Sequence, residues 1–155
     1  MDEILGAVFD SIESRMADPG SLDGLSEIEA DLMVGVTAKG VIDNGGHVYW
    51  YEGRNLEETI RTAEAFDRMN LPDAATALRK SLEAFPGGVP PADLGERQEY
   101  VSTHRKRLEE VFEPLNKVIW KTDFFGAALS YVRVNAHLLV AADSSLSSFL
   151  MRLQR

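Results

Sequence analysis

Residues 43–51 read Asp43-Asn44-Gly45-Gly46-His47-Val48-Tyr49-Trp50-Tyr51. An asparagine followed by two glycines lets the backbone take positive φ, so a helix arriving there is expected to stop or turn, with Gly45 or Gly46 at φ > 0. The next five residues hold three of the six tyrosines and tryptophans in the chain. Any fold must therefore place a sharp backbone break directly before a cluster of bulky rings. Such rings are either packed as core or presented as a binding hot spot.

At 155 residues, the chain is long enough to bury a core of its own. Its apolar content of 45% and charged content of 26% are those of a globular protein rather than a disordered one. It has no cysteine, which excludes disulfides, thiolate metal sites and a cysteine nucleophile. The acidic start and the lack of a long apolar run point to a cytoplasmic protein, with no membrane partner. The net charge is −9, and the whole negative excess lies in residues 1–60, which carry thirteen acids against Arg15, Lys39 and Arg54. A surface so charged repels nucleic acid and attracts a basic partner.

Hydrophobic spacing predicts helices and no convincing strand. The first helix spans 2 to about 17, with Ile4, Leu5, Val8, Phe9, Ile12 and Met16 inward. Ser26 and Glu29 have the spacing of a capping box and open a second helix, expected to end near Asp43. Asn55 and Glu58 repeat that signature. A helix to about Met69 follows, and Pro72 starts the next one, so the short connection predicts an antiparallel hairpin. Phe85-Pro86-Gly87-Gly88-Val89-Pro90-Pro91 is a stiff linker inside the domain. Asp93 caps a long helix to about Phe112 whose inward row is Leu94, Arg97, Val101, His104, Leu108, Val111 and Leu115, and Pro114 ends or kinks it. Thr122 or Asp123 caps a largely apolar helix containing Phe124 and Phe125, and a last helix spans about 144–154.

Metal or phosphate chemistry finds no support. His47, His104 and His137 lie far apart, and neither Gly45-Gly46 nor Gly87-Gly88 has the flanking pattern of a phosphate loop. No cofactor is expected. Arg97 and His104 are polar groups on an inward row, and each needs a partner there. Glu29 also falls on an apolar face, so an Arg97–Glu29 ion pair is expected.

Asn44-Gly45-Gly46 with its aromatics resembles the signature of a bacterial all-helical family of unknown function that includes a DNA-mimic protein. Thr62-Ala63-Glu64-Ala65-Phe66, Leu71-Pro72-Asp73-Ala74-Ala75, the proline-glycine linker, Glu96-Arg97 and Tyr131-Val132-Arg133 extend the resemblance over about 34–137. His47, Glu52 and Asn116 depart from the family pattern, which has an aromatic, an asparagine and an acidic pair at those places. The resemblance implies an all-α fold.

Together these readings predict one all-α domain over 1–155. It comprises six or seven helices around a central antiparallel hairpin, with acidic helices in 1–33 and a family-like core at 34–137. The expected role is that of a non-enzymatic interaction protein, monomer or homodimer, making no direct contact with nucleic acid. Its candidate acidic surface is Asp2, Glu3, Asp10, Glu13, Asp18, Asp23, Glu27 and Asp31, facing a basic partner such as a DNA-binding or toxin-like protein. One alternative is a small-molecule binder or enzyme with a polar pocket at His47, Trp50, Arg97 and His104, beside the turn of Asn44, Gly45, Gly46, Tyr49 and Tyr51. Another is a purely structural or oligomerising module.

Overall fold

A computed structural model describes residues 2–154. The described residues are all-helical and contain no strand. In order, the α-helices are α1 (Glu3–Arg15), α2 (Glu27–Gly53), α3 (Leu56–Arg68), α4 (Pro72–Ser81), α5 (Leu94–Thr103), α6 (Arg105–Lys121), α7 (Phe124–Val134), α8 (Ala136–Ala142) and α9 (Ser147–Leu150). Short 3-10 turns follow α4 and flank α9. No single helix among them is long and apolar enough to cross a membrane.

Two compact units are formed. The terminal unit is Met1–Met33 with Asp123–Arg155, and the central unit is Val34–Thr122. In the terminal unit, Asp2 caps α1 by accepting from the Ile4 amide at 2.8 Å. Leu5, Val8, Phe9 and Ile12 bury one face of α1, which packs on α7 and α9. Phe124, Ala128 and Val132 of α7 and Leu146 and Leu150 near the end of the chain complete that core. Phe125, beside buried Phe124, is 41% exposed because it falls one residue off the buried row.

In the central unit, the Asn55–Glu58 capping box opens α3. A three-residue connection, with Asn70 at φ 60°, folds α4 back on α3. Ala63, Phe66, Ala74, Ala75 and Leu78 are buried in this hairpin, and Arg79 reaches Asp67 at 2.5 Å. Helix α4 also packs on α6.

Three expectations about helix ends are corrected. α2 does not stop near Asp43 but resumes beyond Gly46 and continues to Gly53, so Val48–Tyr51 is helical. The expected long helix from Asp93 is broken at His104, whose φ of −106° and ψ of 16° are not helical. Beyond the break the buried row is Leu108, Phe112, Asn116 and Ile119, and Val111 is 42% exposed. Leu94, in the first turn of α5, is exposed as well. Pro114 does not end α6, which runs through it. It sits on the exposed side, where the carbonyl it leaves without an amide partner can meet water.

Candidate functional site

The acidic residues of 1–33 separate into two groups. Asp2, Glu3, Asp10, Glu13, Asp18, Asp23 and Glu27 are exposed. Glu29 and Asp31 are buried, so Asp31 has to be withdrawn from the predicted acidic surface. It accepts a hydrogen bond of 2.8 Å from the Tyr131 hydroxyl, which compensates the burial of its carboxylate. Glu29 closes the expected capping box: its carboxylate accepts from the Ser26 amide at 2.9 Å, and its own amide donates to the Ser26 hydroxyl. Its other oxygen is bound by Arg15, not by Arg97. Burial raises the Glu29 pKa, but the bonds from Arg15 and Ser26 outweigh it and leave the carboxyl below its usual value. The Ser11 hydroxyl donates to Asp143, whose carboxyl is held down to about 2 by that bond and those from Ser145.

Arg15 is the single base in residues 1–33 of the sequence. The terminal unit as a whole carries eleven acids and four bases, a formal −7. The central unit carries fourteen acids and twelve bases, a formal −2.

The Asn-Gly-Gly break lies in the central unit. Gly46 has φ 68° and ψ −171°, as the sequence predicts for one of the two glycines. A side chain there would also meet an obstacle, since a Cβ would stand 2.6 Å from Asn116 Nδ2. Gly45 is needed for a second reason: a Cβ on it would fall 2.4 Å from the Cβ of Tyr49. Past Gly46 the His47 amide donates to Asn116 Oδ1 at 2.8 Å, and His47 Nδ1 lies 2.6 Å from the same oxygen. The amide can only donate, so the Asn116 atom it meets must be the carbonyl oxygen. Nδ1 therefore carries the proton, and Nε2 is left as an acceptor. Nε2 is buried without a hydrogen-bond partner. Burial of the ring lowers the His47 pKa to about 4, against the opposing pull of Asn116.

Of the other residues of the predicted aromatic turn, Trp50 and Tyr51 are packed inside, and Asn44 and Tyr49 are exposed. Trp50 is 2% exposed and donates through Nε1 to the Thr59 hydroxyl at 3.0 Å. Tyr51 is buried with its hydroxyl 2.5 Å from that of Ser81, and burial pushes its pKa up to about 12. Asn44 is exposed and caps nothing beyond its own helix, donating to the Gly40 carbonyl at 2.9 Å. Tyr49 alone of the three rings points outward, at 53% exposure. Phe112 joins the rings of His47 and Tyr51, with centroids 5.4 and 5.8 Å away. Phe85 continues the row to Tyr100, and Tyr100 to the half-buried His104 at 4.3 Å.

Arg97 is buried as expected, but its partners are main-chain carbonyls. Nε donates to Tyr51 at 3.0 Å, and Nη1 donates to Pro91 and Ala92 at 2.8 and 3.1 Å. The expected Arg97–Glu29 pair is thus replaced by two separate solutions, with Arg15 serving the carboxylate and fixed carbonyls serving the guanidinium. Lys39 was not singled out in the sequence. It reaches Asp43 at 2.9 Å and the Ile119 carbonyl at 3.0 Å, as a basic residue near a helix C-terminus can.

These elements define an acidic, all-helical protein whose second helix is interrupted at an Asn-Gly-Gly step. Residues 23–135 match the model of the DMP19-like protein family, and the chain belongs to that family. The match begins at residue 23, so it takes in Asp23, Glu27 and Asp31, which the resemblance read from the sequence left outside its core. No curated protein and no solved structure matches the chain. The three positions that the sequence reading set apart from the resemblance each have a partner. His47 and Asn116 bind one another, and Glu52 pairs with Arg105.

Proposed function

We propose that this protein is a non-enzymatic interaction protein that uses the acidic surface of its terminal unit to bind a basic protein, in the manner of a DNA mimic. The observation that carries this reading is the exposure of seven carboxylates within residues 2–27, in a stretch whose single base, Arg15, is occupied by Glu29. Membership of the DMP19-like family supports it. Carboxylates held on helices and turns present negative charge to a partner, and such charge draws in a surface built to meet phosphates; of the seven, Glu3 is met by Arg152 at 3.6 Å. The natural partner class is therefore a DNA-binding or similarly basic protein, met in the cytoplasm.

The test is capture of a basic partner from native lysate on the immobilised protein, followed by elution in graded salt and by competition with duplex DNA. A DNA-like contact is released steeply by salt and displaced by DNA. The double substitution Asp10→Asn, Glu13→Gln weakens capture and leaves the helical signal unchanged. Capture that survives both the substitution and the DNA competitor overturns the reading.

A further inference from the structure

We propose that the Gly46–His47–Asn116 contact is an acid-released clasp that holds the break in α2 closed while His47 is neutral and opens it when His47 takes up a proton at Nε2. The proposal stands on geometry. A helix interrupted at positive φ has lost local backbone support at that step, and a single oxygen, Asn116 Oδ1, accepts from both the amide and Nδ1 of His47. That oxygen fixes the tautomer, so the only site left for a further proton is Nε2. This atom is enclosed, with no acceptor to receive a new N–H. A protonated ring would be a buried cation with one satisfied and one unsatisfied donor, which is costly. Moving the 44–53 segment outward hydrates it.

Among the described residues, the charged groups flanking His47 on α2 and α6 are held by other partners. On α6, the packed neighbour, the groups facing His47 are Phe112 and the neutral Asn116. The flanking Glu113 and Lys117 are exposed and pair with each other, and Glu109 pairs with Arg105. On α2 itself, Asp43 is held by Lys39, Glu52 by Arg105, and Tyr51 stays neutral through the acid range. The depressed pKa of His47 agrees with this arrangement. The clasp lies in the central unit and does not rest on the proposed acidic surface.

Hydrogen–deuterium exchange, corrected for the intrinsic effect of pH, tests it on the whole protein between pH 7 and pH 4.5. In the wild type, protection of residues 44–53 falls on acidification, with a midpoint between pH 6.5 and 4, ahead of any loss in α3 and α4. His47→Phe removes the ionisable ring, and protection of the segment then no longer depends on pH in this window. Asn116→Asp supplies a carboxylate to the imidazolium and holds the segment closed to lower pH than wild type. Two results overturn the proposal: a wild-type segment that stays protected throughout, and the same acid loss in both variants. Should His47→Phe fail to fold, the opposite shift demanded of Asn116→Asp still decides the matter.

Discussion

The terminal and central units are both built from short helices, yet they dispose of their polar groups in different ways. In the terminal unit most of the charge stays on the surface, and the two acids that go inside, Glu29 and Asp31, are met by side chains, Arg15 and Tyr131. In the central unit several polar groups are turned inward, and one of them, the Arg97 guanidinium, is met by main-chain carbonyls. Arg97 binds carbonyls of residues 51, 91 and 92, His47 binds Asn116, and Trp50 binds Thr59. A side chain that answers a side chain can be replaced together with its partner. A side chain that answers fixed backbone has no partner to change with it. The comparison therefore separates the exposed acids of the terminal unit, open to variation, from a buried cation of the central unit that admits few substitutions.

The hardest blow to that comparison should fall on the ring row of the central unit. Phe112 is fully buried between His47 and Tyr51, and Phe112→Ala should cost about 3–5 kcal/mol in denaturant unfolding. A loss below about 1 kcal/mol would mean the row is not a packed interior at all.

Acid comes next. His47 has a folded pKa of about 4 against 6.5 for the free side chain, so the unfolded chain binds the proton more readily. Its contribution is complete above pH 6.5 and is lost as pH falls toward 4. The expected loss across that window is about 3 kcal/mol, at about 1.4 kcal/mol per unit. Comparing the pH dependence of unfolding for wild type and His47→Phe isolates this from the titration of the carboxylates.

Gly46→Ala combines a positive φ with a Cβ driven against Asn116, and should destabilise by about 2 kcal/mol. Urea midpoints measure it, and a neutral result would show that the break tolerates an ordinary residue.

The smallest effect sharpens the other side. Asp10→Asn with Glu13→Gln should change stability by no more than about 0.5 kcal/mol, since exposed charges contribute little. A large loss there would make the acidic face part of the fold rather than a surface for a partner.

How far the fold was readable depends on how local each signal is. The capping boxes at Ser26–Glu29 and Asn55–Glu58, the caps at Asp93 and Asp123, and the positive φ at Gly46 all follow from residues a few places apart, and all are found. The continuation of α2 past Gly46 was hidden, because the group that captures the His47 amide lies 69 residues away. The break at His104 was hidden for a different reason: the apolar spacing runs on through it, and only the preference for burying Phe112 over Val111 betrays the change of face. Arg97 was read correctly as buried and wrongly as salt-bridged, since sequence names carboxylates but does not show which carbonyls a fold leaves open. The exposed acids of the site were legible in composition, whereas the burial of Asp31 depends on Tyr131, a hundred residues downstream.

Arg97 also bears on the order in which the molecule assembles. The helix hairpin of α3 and α4 makes its contacts between near neighbours in sequence, but the bond from Arg97 to the Tyr51 carbonyl spans 46 residues and encloses that whole hairpin. Closing so long a loop costs entropy that a preformed hairpin reduces, because a folded hairpin shortens the chain still to be ordered. Helical signal should accordingly return before the emission of Trp50 settles during refolding. On that order the guanidinium latches a segment already shaped, and the His47–Asn116 contact, longer still in sequence, should close after it.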